Sequence, residues 1–286
     1  MSLKEITARL LDFENHGVSK RASEELHALF SGIVRLSEDY ASVDRRETLL
    51  GDGKALSPHD AARCILDYVR TRSFLAGLRG AVREALRRFP GETIHLLYAG
   101  CGPFAPLALP LTTEFTAAEV QFTLLDIHAR SLEVVRQIVN TLGLSDYVRA
   151  YVQADATAYV QAREDAPHVI VAETMQRVLE KEPHVAVTAN LAPQLRAGGI
   201  LIPQKITLRA CLADVGSELT LLTDGPRRTR VELGEVFELT AESSAQIKFW
   251  ETQNGAGRRS PPVTLRVPEL AREDLQLMIL TEIDVF

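Results

Sequence analysis

Cysteine is scarce in this chain. Only Cys64, Cys101 and Cys211 occur, too far apart to pair as metal ligands or to form a disulfide framework. A secreted disulfide scaffold is thereby excluded, no metal is expected, and a reducing, cytoplasmic setting is expected. Long apolar runs are also missing. Nothing approaches the ~20 residues that cross a bilayer, so no membrane partner is expected. Charges recur through residues 1–11, where a signal peptide would be apolar. No repeat or low-complexity tract is present, which excludes solenoids. Gly at 17 and Pro at 13 are ordinary, so the chain is neither fibrous nor broadly disordered. Excess positive charge is absent as well. Lys and Arg total 32 against 38 Asp and Glu, for a net charge of −6. Nucleic-acid binding needs clustered basic charge, so it is not expected.

The 286 residues, 46% of them hydrophobic, allow one or two domains. Residues 5–13 and 22–36 carry apolar positions at three- and four-residue spacing, which predicts helices. A polar segment over 45–54 interrupts them. Ser57-Pro58 then reads as a helix cap with proline in the first turn, predicting helices over 57–68 and 74–89. From residue 94 the pattern changes. Apolar runs at 94–98, 122–125, 151–153, 169–172 and 200–202 alternate with helical stretches at 131–142 and 183–195. This predicts an α/β fold, a Rossmann-like, mostly parallel sheet with covered faces. Beyond Pro203, Ile206, Leu208, Val231, Leu233, Phe237, Leu239, Val263, Leu265 and Val267 recur at period two. Turn signals at 224–226, 254–255 and 261–262 punctuate them, and a last strand-like run covers 277–286, predicting a C-terminal antiparallel β domain. The expected division is an N-terminal helical segment over 1–56, an α/β domain over 57–203 and a β-rich, partly barrel-like domain over 204–286.

The densest chemical signal is the strand 94–98 running into Gly100-Cys101-Gly102-Pro103. A glycine turn at the carboxyl end of a buried strand lets a ligand approach the backbone. Gly100, Gly102 and Ala105 fit a dinucleotide fingerprint, with Asp126 where a ribose-binding carboxylate belongs. On this motif alone, a nicotinamide dinucleotide and S-adenosylmethionine are both open. Asp126 also reads as a helix cap, and Asp155 as a turn residue.

Further segments resemble class I S-adenosylmethionine-dependent methyltransferases, and more narrowly the protein arginine methyltransferases. Asp67-Tyr68-Val69-Arg70-Thr71 resembles the family helix whose arginine holds the cofactor carboxylate, a role suited to a planar, permanently charged fork. Glu173 to Glu182 resembles the double-glutamate loop after the fourth strand. Two carboxylates can clamp a protonated guanidinium and assist its proton loss. Residues 195–214 are similar to the family's passage through Gly-Gly and Pro into its barrel. The resemblance covers about 57–214. It implies S-adenosyl-L-methionine as cofactor, with Asp67, Arg70, Ala99, Gly100, Cys101, Gly102, Pro103, Asp126, Ile127, Asp155 and Ala156 around it. It implies Glu173 and Glu182 as catalytic residues, a protein arginine or a small molecule as methyl acceptor, and a homodimer.

The chain also departs from the family. Tyr98 replaces the usual acid of the first motif, Phe104 stands at the third glycine position, and no histidine follows His184 to match the family's Thr-His-Trp loop. The one Trp-containing stretch, 247–250, is not equated with that loop. His59, His95, His128 and His168 read as surface or strand-edge residues. His184 is the candidate proton acceptor, and Cys101 reads as a small buried thiol unless a helix N-terminus exposes it. From other classes, a nicotinamide-dependent oxidoreductase and a non-catalytic scaffold remain alternatives.

Overall fold

A computed structural model of the chain describes residues 2–35, 47–51, 53–219, 230–244, 247, 262–269 and 274–286. Two helices lead, α1 (Leu3–Leu10) and α2 (His16–Arg35). Ser2 and Glu5 close α1 with a reciprocal capping box, which satisfies two otherwise unpaired backbone donors. A short antiparallel hairpin follows, β1 (Thr48–Leu50) and β2 (Gly53–Ala55), within the segment expected to be a polar break.

Next come α3 (Pro58–Arg63), capped by Ser57, and α4 (Tyr68–Arg88). The sequence placed the break between these helices near residues 68–74, but it falls at Asp67. The Asp67 side chain accepts the backbone N–H of Arg70 at 3.3 Å and starts a new helix there. The alternating core is β3 (Ile94–Ala99), β4 (Val120–Asp126), α5 (Ala129–Thr141), β5 (Val148–Gln153), β6 (Val169–Ala172), α6 (His184–Leu191) and β7 (Ile200–Ile202).

These strands form an all-parallel sheet in the order β5-β4-β3-β6-β7. Every residue of β3, β6 and β7 is buried, which is why their sequences do not alternate. Successive residues still point to opposite faces. Leu96 and Tyr98 join α1, α2, α4 and α5 in one core, and Leu97 and Ala99 join α6 in another. The leading helices therefore share the main core of the sheet. Phe104, at the third glycine position of the motif, packs edge-on against Phe30 of α2 at 5.7 Å. That departure docks the helical lead onto the sheet.

The tail holds β8 (Lys205–Ala213), α7 (Val215–Leu219), β9 (Arg230–Thr240), α8 (Ala241–Ser244) and β10 (Gln276–Asp284). Its three strands pair antiparallel in the order β10-β8-β9. The α/β sheet with leading helices and a C-terminal antiparallel unit is the architecture expected from sequence. The alternating run Val263, Leu265, Val267 is an exception and forms no strand. Alternation supplies a face but not a neighbour, and Val263 and Val267 stay exposed between Pro262 and Pro268. Turn signals at 224–226, 254–255 and residue 261, and the Trp-containing stretch 248–250, lie outside the described residues. Among those described, no helix is long and apolar enough to cross a membrane.

Candidate functional site

The strand order reverses between β3 and β6, and ligands of open α/β sheets bind outside the carboxyl ends at such a point. A cleft of about 770 Å³, open mouth included, lies there. Its walls include Tyr98, Gly100, Cys101 and Gly102 after β3, Asp126 and Ile127 at the end of β4, Asp155 and Ala156 after β5, and Glu173 and Glu182 after β6. One fold element after another delivers an acid to the same space.

The glycine turn has its own structural cause. Gly100 has φ +68° and Gly102 φ +62°, a region costly for residues with a Cβ. A Cβ on Gly100 would also stand 2.5 Å from the Thr174 methyl. Asp126 fastens the turn from the next strand. Its Oδ2 accepts the Gly102 N–H at 2.8 Å, and its Oδ1 accepts the His128 N–H at 2.8 Å. Carboxylate oxygens have further lone pairs, so both anchoring the turn and receiving a ribose hydroxyl are within its capacity. Asp155 uses Oδ1 for the N–H and hydroxyl of Thr157, each at 2.8 Å. Its Oδ2 makes no hydrogen bond among the described residues.

No α-helix follows the turn. Residues 103–108 form turns, and only a 3-10 segment, Leu109–Thr113, comes after them. Cys101 is accordingly a buried thiol whose pKa burial pushes up, not an activated one at a helix N-terminus.

Glu173 and Glu182 stand in the cleft wall after β6, whereas Arg70, expected at the cofactor carboxylate, is not among the residues lining the cleft. Arg70 reaches from the first turn of α4 to pair with Glu173, and its Nη2 donates to the Met175 carbonyl at 2.8 Å. Arg70 Nε is buried without a partner. Glu182 differs from Glu173. It is 7% exposed and has no hydrogen bond or ion pair among the described residues. Burial raises its pKa, against the opposing pull of Arg70 and Lys54. His184 is the wrong histidine for proton transfer. It is fully buried beside Thr174, and burial, with Arg70 adding to it, drives its pKa down to about 3.

Of the other residues expected around a cofactor, Asp67 is exposed and caps α4, while Ala99 and Pro103 are buried away from the cleft walls. The sequence also misjudged three histidines. His95 and His168 are buried, and His128 lines the cleft, its Nε2 2.9 Å from the Thr48 hydroxyl. The least anticipated wall is the hairpin, which contributes Leu50, Lys54 and Ala55. Two strands of three residues carry too little periodicity to be read, and only Gly51 and Gly53 hinted at a turn.

No family model matches the chain, and no curated protein matches it. Several solved structures show partial likeness. The PRMT1 enzyme–prozyme heterotetrameric complex of Trypanosoma brucei, solved with AdoHcy, is 14% identical with a TM-score of 0.41, over 58% of this chain and 59% of that one. Protein arginine methyltransferase 10 of Arabidopsis thaliana is 13% identical with a TM-score of 0.40, over 51% and 38%. The (4+2)-cyclase SpnF is 20% identical with a TM-score of 0.33, over 46% and 45%. The chain thus spans less than two thirds of each of these proteins.

Proposed function

We propose that the cleft binds S-adenosylmethionine and that the protein transfers its methyl group to a nitrogen nucleophile of guanidinium type. Glu182 carries this reading. A carboxylate that is 7% exposed, has a raised pKa, lines a cleft and makes no hydrogen bond or ion pair among the described residues is costly to fold and is therefore a functional candidate. A cationic N–H donor supplies the missing partner.

Gly100 and Gly102 shape the turn against the ligand, Asp126 and Asp155 offer carboxylate oxygens to ribose and adenine, and Ile127 and Ala156 flank them. When bound, the cofactor supplies an electrophilic methyl, whose carbon–sulfur bond breaks as the carbon–nitrogen bond forms, with the electron pair leaving on sulfur. Glu173, fixed by Arg70, and Glu182 hold the acceptor in line for that displacement. Glu182 has the raised proton affinity suited to taking the released proton. Arg70 is engaged by Glu173, so its first role here is to orient that carboxylate.

A nicotinamide dinucleotide is a weaker fit. Its pyrophosphate is normally held at a helix N-terminus directly after the glycine turn, and no such helix is present.

Calorimetric titration tests the reading. S-adenosylhomocysteine should bind and raise the melting temperature, and NAD should do neither. A Glu173→Gln variant should keep S-adenosylhomocysteine binding and lose methyl transfer. Binding of NAD alone, or full activity in that variant, would overturn the assignment.

A further inference from the structure

The hairpin β1–β2 spans the cleft from one end to the other. On the ribose side the Thr48 hydroxyl meets His128 Nε2 at 2.9 Å. On the acceptor side the Lys54 backbone N–H donates to the Lys181 carbonyl at 2.9 Å, one residue before Glu182. Gly53 makes that approach possible. Its φ is +137°, and a Cβ there would stand 2.7 Å from the Lys181 carbonyl oxygen. Along this hairpin Leu50, Lys54 and Ala55 line the cleft, joined by Leu56 just beyond it.

The loop carrying Glu182 is also held from its far side. The Val178 N–H donates to the Thr281 hydroxyl of β10 at 3.2 Å. Val178 and Leu179 have φ of +62° and +56°. A valine in that region costs ~1–3 kcal/mol and persists only where its surroundings over-determine it. The loop is thus pinned between hairpin and tail sheet, with Glu182 on its inner side.

On the methyl-transfer reading above, we infer that the acceptor is a small free cation, an amine or guanidine, enclosed beneath the hairpin, and not an arginine within a protein segment. An extended peptide needs an open groove or a sheet edge past the reacting nitrogen. Here a main-chain hydrogen bond joins the hairpin to the Glu182 loop across that side of the cleft. One ligand the size of S-adenosylmethionine takes up a large share of the cleft. The cleft walls include Glu182 with Leu50, Ala55, Leu56 and Val187, and also Lys54, whose ammonium is paired with Glu47. That lining suits a compact cation with an apolar flank.

The test measures radiolabelled methyl transfer by the full chain to agmatine, free arginine and putrescine, and to an arginine-glycine peptide. S-adenosylhomocysteine binding is measured on the same sample. Transfer to at least one of the small cations and none to the peptide is expected. A Gly53→Val variant should undock the hairpin and raise KM for the small acceptor about tenfold, the size of one lost docking hydrogen bond. Transfer to the peptide, or to none of the small cations, overturns the inference. If S-adenosylhomocysteine binds while the peptide is the acceptor, only the acceptor class falls. If S-adenosylhomocysteine does not bind, the methyl-transfer reading falls with it.

Discussion

The two ends of the parallel sheet both gather charged side chains and histidine, yet they treat them in opposite ways. At the amino end, His95, His168, Arg149, Arg196, Glu92 and Asp165 line a surface cleft of about 590 Å³, open mouth included. His95 Nδ1 lies 3.0 Å from the Asp165 carbonyl, and its Nε2 lies 2.8 Å from the Thr123 hydroxyl. His168 Nδ1 accepts the His95 backbone N–H at 2.9 Å, Arg196 pairs with Glu92, and Arg149 pairs with Asp165. Both histidines are held neutral, with pKa lowered first by burial and next by a neighbouring arginine, Arg149 for His95 and Arg196 for His168. Among the described residues, no three of these groups converge as metal ligands. At the carboxyl end, Glu182 is buried and has no hydrogen bond or ion pair among the described residues. A cluster whose members satisfy one another is structure, and a buried charge left without a partner is a place for something else.

The sharpest way to break this contrast is Glu182→Gln. Methyl transfer should fall by about 10²–10⁴-fold, with no loss of melting temperature. The raised pKa means that ionised Glu182 costs stability at neutral pH, and glutamine removes that cost. Full activity, or a marked drop in melting temperature, would put Glu182 among the structural groups.

Acid should act next most strongly, and through the amino end. Burial holds the His95 pKa down at about 4 in the folded protein, against about 6.5 for a free histidine. The unfolded chain therefore binds more protons between those values, and stability falls as pH drops from 6.5 to 4. The contribution is of order 3 kcal/mol. Urea unfolding across that range should show the slope, and His95→Gln should flatten it. An unchanged slope would mean that His95 is not held neutral by its surroundings.

A smaller effect is expected from His168→Ala, which leaves the His95 backbone N–H short of an acceptor. It should cost roughly 1–3 kcal/mol in urea unfolding and leave turnover per folded molecule unchanged. Lost turnover at unchanged stability would make the amino end a second site. The mildest change is Asp155→Asn, which should weaken S-adenosylhomocysteine binding about tenfold through one charge-assisted hydrogen bond. Calorimetry reads it directly, and unaltered affinity would confine Asp155 to its turn.

Much of this contrast was legible along the chain. The fully apolar strands announced a covered parallel sheet, because both of their faces are buried. Asp126, Asp155 and Glu173 could be found because each stands at or just after the carboxyl end of such a strand. The histidines resisted reading, because sequence reports neither burial nor partner. His95 lies inside β3, and only the fold supplies the Asp165 carbonyl 70 positions away that fixes its ring. The Val263–Val267 alternation misled for the converse reason, since a strand exists only where a second strand accepts its hydrogen bonds.

What the sequence determined by itself was local and periodic: the order of strands and helices, the glycine turn that only residues tolerant of positive φ can make, and the acids placed at strand ends. Tertiary structure alone decided which acid lacks a partner and what covers it. Arg70 from α4 engages Glu173 and, among the described residues, leaves Glu182 without an ion pair. No local motif reveals that Lys54 from the hairpin reaches Lys181 across more than a third of the chain. The physical reason is range: backbone preference and hydrophobic period act over a few residues, while the burial and pairing of a charge depend on whatever the fold brings beside it.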